Sequence, residues 1–290
     1  MFNGSFVAMI TPMNNAGHID EPALRKLVRW HIDQGTDGLV PVGTTGESPT
    51  LSEEEHRLVV RIVVEEAQGK LPVIAGCGSN NTAEAISYHE FAKDVGADAA
   101  LHVTGYYNRP NQEGIYQHFA ALAATNDLPI IVYNVPPRSV VDIEPDTMGK
   151  IAALKSVAGV KDATKDLNRP ILEGLSIDKP FSFLSGEDGT AVAYNASGGT
   201  GCISVTANVA PKLCAHMQKA CADGDFSKAL TIQRSLMPLH QALFAEPSPS
   251  GVKYACSSLS LCENHVRLPL IPVSTATQNT IDTLLTSLSL

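Results

Sequence analysis

The chain has 290 residues, 44% of them hydrophobic and 18% charged, and its 21 basic and 30 acidic side chains give a formal net charge of −9. That composition excludes a disordered or fibrous chain, and a negative balance with no run of Lys and Arg disfavours nucleic acid as a partner. The opening MFNGSFVAMITPM has no basic stretch ahead of a long apolar one, and no apolar run reaches membrane-spanning length. A cytoplasmic protein with no membrane partner is therefore expected.

Eight short apolar, β-rich runs recur along the chain at 6–10, 38–40, 73–75, 99–103, 130–133, 157–160, 181–184 and 202–205, spaced by roughly the thirty residues of one strand-plus-helix unit. Between the first runs, Leu24, Leu27, Val28, His31 and Ile32 form one helical face, and Leu58, Val59, Ile62 and Val63 form the next. Ser52 followed by Glu55 predicts a capping box at the start of that second helix. Gly35, Gly69, Gly96 and Gly224 fall where helices should stop. Eight alternating units predict a (β/α)8 TIM barrel of the α/β class rather than an open doubly wound sheet. After the eighth run, helices at 211–222, 225–244, 252–259 and 275–288 are expected, which divides the chain into a catalytic barrel at 1–224 and a C-terminal helical appendage at 225–290.

Six cysteines (77, 202, 214, 221, 256 and 262) have no C-x-x-C spacing, and nine histidines have no H-E-x-x-H spacing. No metal site and no cofactor are implied, and the cysteines are expected to be buried thiols.

In a barrel of this kind the reactive groups gather at the C-terminal ends of the strands. Lys161 follows the apolar run at 157–160, where an amine stripped of water can attack a carbonyl; a solvated strand-end lysine is the plainer reading. Tyr133 ends the neighbouring run at 130–133, from which a phenol could pass protons to and from that amine, or simply cap the core. The loop G-T-T-G-E at 43–47 lacks the G-K-[ST] ending of a nucleotide loop, so its N–H groups could hold only a small anion. Arg138 sits on the proline-braced loop Y-N-V-P-P-R, where a guanidinium can take a carboxylate in two-pronged fashion.

Taken together, G-T-T-G-E at 43–47, Y-Y-N-R-P at 106–110, Y-N-V-P-x-R at 133–138, G-V-K-D-A-T at 159–164, G-C-I-S-V at 201–205 and R-L-P at 267–269 resemble the dihydrodipicolinate synthase family across essentially the whole chain. The resemblance implies a Schiff base between pyruvate and Lys161, with Tyr133 as proton donor and acceptor. It implies that Thr44 links Tyr133 to Tyr107 of a neighbouring subunit, in a homotetramer built as a dimer of dimers. Thr45, Ile203 and Gly186 would hold pyruvate, and Arg138 the carboxylate of L-aspartate 4-semialdehyde. An inhibitory lysine site would draw on Ser48, His56, Asn80, Glu84 and Tyr106. By residue type alone, Glu84 could instead cap a helix after Asn81 and His56 could be a solvated helix residue. Two departures stand out: Gly105 where the family often has Pro, which could loosen the Tyr106–Tyr107 loop, and Ser139-Val140 in place of the commoner Thr-Gly. Related readings are sialic acid lyases and keto-deoxy sugar acid aldolases, which share the lysine and tyrosine but lack the arginine, and a non-enzymatic carboxylate-binding relative.

Overall fold

The structure, a computed structural model, describes residues 1–290. Its main elements in chain order are β1 (Gly4–Ala8), α1 (Glu21–Asp33), β2 (Gly38–Val40), α2 (Glu53–Ala67), β3 (Ile74–Gly76), α3 (Thr82–Asp94), β4 (Ala99–Val103), α4 (Gln112–Thr125), β5 (Ile130–Asn134) and α5 (Pro136–Ser139). They continue with α6 (Pro145–Ala152), β6 (Val157–Asp162), α7 (Arg169–Gly174), β7 (Ser182–Ser185), α8 (Ala191–Ala196), β8 (Gly201–Ser204), α9 (Pro211–Ala222), α10 (Phe226–Leu243), α11 (Ser250–Ser258) and α12 (Thr275–Ser287). All eight strands belong to one sheet in the order β2-β1-β8-β7-β6-β5-β4-β3. A parallel bridge between Leu39 and Val73 brings the residue before β3 alongside β2, so the order closes on itself. This is the strand order of a (β/α)8 barrel.

The chain divides into two compact units, each assembled from two segments: Met1–Gly4 with Ile74–Ile203, and Ser5–Val73 with Ser204–Leu290. In the first unit, Ile130, Val132, Val157 and Val160 of β5 and β6 pack under Ile115, Phe119 and Leu122 of α4 and Met148 and Ile151 of α6. In the second, Leu24, Leu27 and Val28 of α1 and Val59, Ile62 and Val63 of α2 are all buried. Ile32 and Leu58, expected on those faces, are only half-buried, and His56 and Val60 are buried instead.

Local signals hold in detail. Asp20 caps α1 by accepting from Ala23 N at 3.0 Å. At α2, Ser52 and Glu55 exchange both capping-box hydrogen bonds, at 3.2 and 2.9 Å. The strand β1 ends at Ala8 because the N–H of Ile10 is taken by Asn208 Oδ1 at 3.0 Å. Gly38 is required at the start of β2: a Cβ there would lie 2.1 Å from the Phe6 ring. All six cysteines are free thiols, five of them buried and Cys262 half-buried.

His31 is fully buried in α1, with Nδ1 3.3 Å from Thr36 Oγ1. Burial holds its pKa down to about 3, against an ordinary value of 6.5. The unfolded chain therefore takes up this proton first, so the His31 contribution is intact above about pH 6.5 and is lost progressively as pH falls towards 3. His31→Leu should flatten the fall in unfolding free energy between pH 6 and 4 by about one proton, roughly 1.4 kcal/mol per pH unit, as measured by urea titration at several pH values. An unchanged slope would contradict the assignment.

Candidate active site

Parallel pairing of β5 and β6 sets Tyr133 opposite Lys161 and Asn134 opposite Asp162. Successive side chains on a strand point to opposite faces, so Tyr133 and Lys161 share one face and Asn134 and Asp162 the other. Lys161 lies inside β6 rather than beyond its end, because the strand runs on to Asp162. Both side chains are buried, and Lys161 Nζ sits 4.2 Å above the Tyr133 ring centre, where the π face attracts an ammonium. Gly186, just after β7, donates its N–H to Asp162 O at 2.6 Å. A Cβ at Gly186 would come within 3.2 Å of Lys161 Cε, so the bare backbone leaves the lysine its space. Ile203 is buried in β8, whose Gly201 pairs with Leu184 of β7.

On the opposite face Asp162 accepts from Thr164 N at 2.7 Å, and burial pushes its carboxyl up. Glu173 of α7 is 1% exposed, and burial together with the nearby Asp162 charge raises it to about 8. Tyr194 is raised as well, by burial and by those two carboxylates. Arg169 Nη1 lies 3.7 Å from Glu173 Oε1 and is the cation of this cluster.

Arg138 is exposed on the single turn α5, whose N–H groups at Arg138 and Ser139 both bond Val135 O. The turn ends at Val140, with φ 59° and ψ 13°. A β-branched residue in this left-handed region costs roughly 1–2 kcal/mol, so the replacement of the commoner glycine noted from the sequence is paid for in backbone strain.

In the second unit, Thr44–Gly46 forms one 3₁₀ turn, with Thr45 buried and Thr44 half-buried. Thr11 Oγ1 donates to Gly46 O at 2.7 Å. Glu47 follows in the left-handed region (φ 58°) and is 2% exposed. Its carboxylate pairs with the fully buried Lys253 Nζ at 2.6 Å and accepts Arg267 N at 2.9 Å. Lys253 also donates to His265 O at 2.7 Å, and Arg267 pairs with Glu55. Sequence reasoning gave Lys253 no role. The available signal was a lysine on the apolar stripe of α11, between Val252, Ala255 and Cys256, where a cation must have a partner.

Of the five residues expected to bind an effector, Asn80, Glu84 and Tyr106 fall in the first unit. Asn80 Nδ2 donates to Tyr106 O at 3.1 Å, and Ser79 Oγ bonds Glu84. Burial and the Glu84 carboxylate push the Tyr106 phenol up. Asn81 caps α3 through Ala83 N, and its own N–H goes to Ser79 Oγ rather than to Glu84, which bonds that same hydroxyl instead of capping the helix. Ser48 lies on a 3₁₀ turn of the second unit, and His56 is buried in α2 rather than solvated. Tyr107 is 91% exposed at φ 69°. Gly105 is buried, and a Cβ there would meet Asn108 Oδ1 at 2.9 Å.

The model of the dihydrodipicolinate synthetase family matches residues 1–288. A 4-hydroxy-tetrahydrodipicolinate synthase of Parvibaculum lavamentivorans is 58% identical over 281 residues, covering 97% of this chain and 96% of that protein. A chloride-inhibited dihydrodipicolinate synthase of Acinetobacter baumannii, complexed with pyruvate, superposes with a TM-score of 0.97 at 42% identity, over 100% of this chain and 99% of that one. The enzyme of Cyanidioschyzon merolae with lysine bound gives 0.96 at 30% identity, over 99% and 98%.

Removing one partner of a buried ion pair leaves an uncompensated charge, at a cost of about 3–5 kcal/mol. Lys253→Met should therefore destabilise the protein by that order, while Glu47→Gln with Lys253→Met should recover most of it. Denaturant unfolding of the single and double variants checks this, and equal losses in both would refute the pairing argument.

Proposed function

The chain belongs to the dihydrodipicolinate synthetase family, and on that premise we propose that it condenses pyruvate with L-aspartate 4-semialdehyde to 4-hydroxy-tetrahydrodipicolinate. It is a lyase of the class I aldolase type, acting at the first committed step of lysine and diaminopimelate biosynthesis. The observation that carries the reading is Lys161 on β6, buried and in register with Tyr133 at 4.2 Å from its ring. In the proposed reaction the Lys161 amine adds to the pyruvate ketone, and the carbinolamine loses water to give an imine. Tyr133 passes the protons of those steps. Loss of a methyl proton then gives an enamine, whose carbon attacks the aldehyde while the new alkoxide takes up a proton. The semialdehyde's amino group adds to the imine carbon and displaces the Lys161 amine, which closes the ring and frees the product.

Thr44 is proposed to continue the proton relay from Tyr133 to Tyr107 of a second copy; the high exposure of Tyr107 supports its serving a neighbour. Thr45, with Gly186 and Ile203, is proposed to hold pyruvate. Arg138 is proposed to take the semialdehyde carboxylate, for which an exposed guanidinium at the rim is suited. A homotetramer in the cytoplasm is the corresponding assembly, and no helix is long and apolar enough to cross a membrane. Lysine is proposed as a feedback inhibitor bound through Ser48, His56, Asn80, Glu84 and Tyr106, a reading supported by the lysine-bound relative from Cyanidioschyzon merolae.

Borohydride reduction in the presence of pyruvate should leave a pyruvyl adduct on the Lys161 peptide, and Lys161→Ala should lower turnover by several orders of magnitude with the fold intact. Comparable turnover in that variant would remove the Schiff-base assignment. Arg138→Ala should raise KM for the semialdehyde and spare adduct formation, whereas the reverse pattern would exchange the two roles. Millimolar lysine should slow the native enzyme, and Glu84→Ala should abolish the effect without changing the uninhibited rate. Inhibition that survives in Glu84→Ala would place the effector elsewhere.

A further inference from the structure

The loop from Val135 to Ile143 leaves β5 beside the candidate lysine, carries Arg138 and returns to α6. At Val140 it takes a conformation that its own side chain opposes, since a β-branched residue at φ 59° brings Cβ against the neighbouring carbonyl. A strained residue persists only where its surroundings over-determine the backbone. The restraints can be followed bond by bond. Val140 N bonds Pro136 O at 2.9 Å, and Ser139 Oγ bonds Val141 O at 2.8 Å.

The next two residues are held from three separate elements. Asn134 of β5 donates from Nδ2 to Asp142 Oδ1 at 2.8 Å and accepts Ile143 N at 3.2 Å. Gln112 of α4 donates to Asp142 O at 2.8 Å. Arg169 of α7 pairs with Asp142 and donates to Ile143 O at 2.7 Å. Arg169 is itself buried and is braced by Glu173 and Asp166, each 3.7 Å away. The guanidinium of Arg138 is exposed, so its place is set by the backbone that carries it rather than by side-chain packing.

We infer that Asp142 and Arg169 are positioning residues for Arg138, forming a clamp that holds the loop in the shape a valine at position 140 resists. The inference rests on the reading of Arg138 as the group that takes the second substrate's carboxylate. Neither clamp residue touches the substrate. Their effect is on where the guanidinium stands, and so on affinity for the semialdehyde rather than on capture of pyruvate.

The test compares Asp142→Ala, Arg138→Ala, the double variant, and Asp142→Ala combined with Val140→Gly. Asp142 is half-exposed and its loss leaves Arg169 beside Asp166 and Glu173, with its bond to Ile143 O intact, so the variant should fold, which its thermal midpoint will verify. Asp142→Ala should raise KM for the semialdehyde about tenfold, while the borohydride-trapped adduct on Lys161 forms at the native rate. Because the clamp acts through Arg138, the double variant should be no worse than Arg138→Ala alone. Glycine accepts the left-handed conformation, so Val140→Gly should return KM in the Asp142→Ala background to within a few-fold of native. Additive effects, an equal rise in KM for pyruvate, or no recovery with Val140→Gly would overturn the inference. An unchanged semialdehyde KM in Arg138→Ala would overturn the reading of Arg138 and the inference with it. A raised KM in Arg138→Ala beside a native Asp142→Ala would overturn the inference alone.

Discussion

Parallel hydrogen bonding between β5 and β6 leaves Tyr133 and Lys161 side by side on one face of the sheet, because the register that pairs them cannot slip by one residue without turning one of them to the other face. The buried valines and isoleucines of the same two strands hold that register by packing under α4 and α6. Lys161 therefore has an orientation set by core packing rather than by local contacts of its own. Gly186, just after β7, completes the arrangement by leaving the lysine stem its space.

The alternation that turns Lys161 one way turns Asp162 the other, and the two faces have opposite electrostatics. One holds an amine against an aromatic ring. The other holds Asp162, Glu173 and Tyr194, all pushed towards their neutral forms by burial, with Arg169 as the balancing cation. Arg169 is thus shared between a buried acidic cluster and the returning arm of the Arg138 loop, so the two are coupled by one guanidinium. The second unit repeats the device at Glu47, where a left-handed residue directly after the Thr44–Gly46 turn is held by Lys253 and Arg267. In both places an unfavourable backbone is stabilised by a charge brought in from a distant part of the chain.

Periodicity and caps were enough to find every strand, because a buried parallel strand is a short apolar run and little else. Several ends moved by one or two residues; β1 stopped short where Asn208 took over the Ile10 backbone donor. The Ser52–Glu55 box was legible because both partners lie in one turn. Lys161, Tyr133 and Arg138 were visible from their places after apolar runs and prolines. The clamps at Asp142–Arg169 and Glu47–Lys253 were not: each joins residues far apart in sequence, and neither partner has a local pattern that names the other. The strain at Val140 was half legible, since the valine stood out against the family pattern, but its φ is a property of the folded loop.

The second unit is closed by residues from opposite ends of the chain, with Arg267 reaching Glu47 across 220 positions. During synthesis from the N-terminus, the long segment Ile74–Ile203 is complete before Lys253 and Arg267 exist. Until they emerge, the carboxylate of Glu47 has neither its ammonium nor its backbone donor, and burying it would carry the full penalty of an unpaired charge. Beside the turn that bears Thr44 and Thr45, Glu47 can therefore be buried with its charge paired only once Lys253 and Arg267 have been made. The strand that bears Lys161 thus lies in a segment already synthesised while Glu47 still waits for both of its partners.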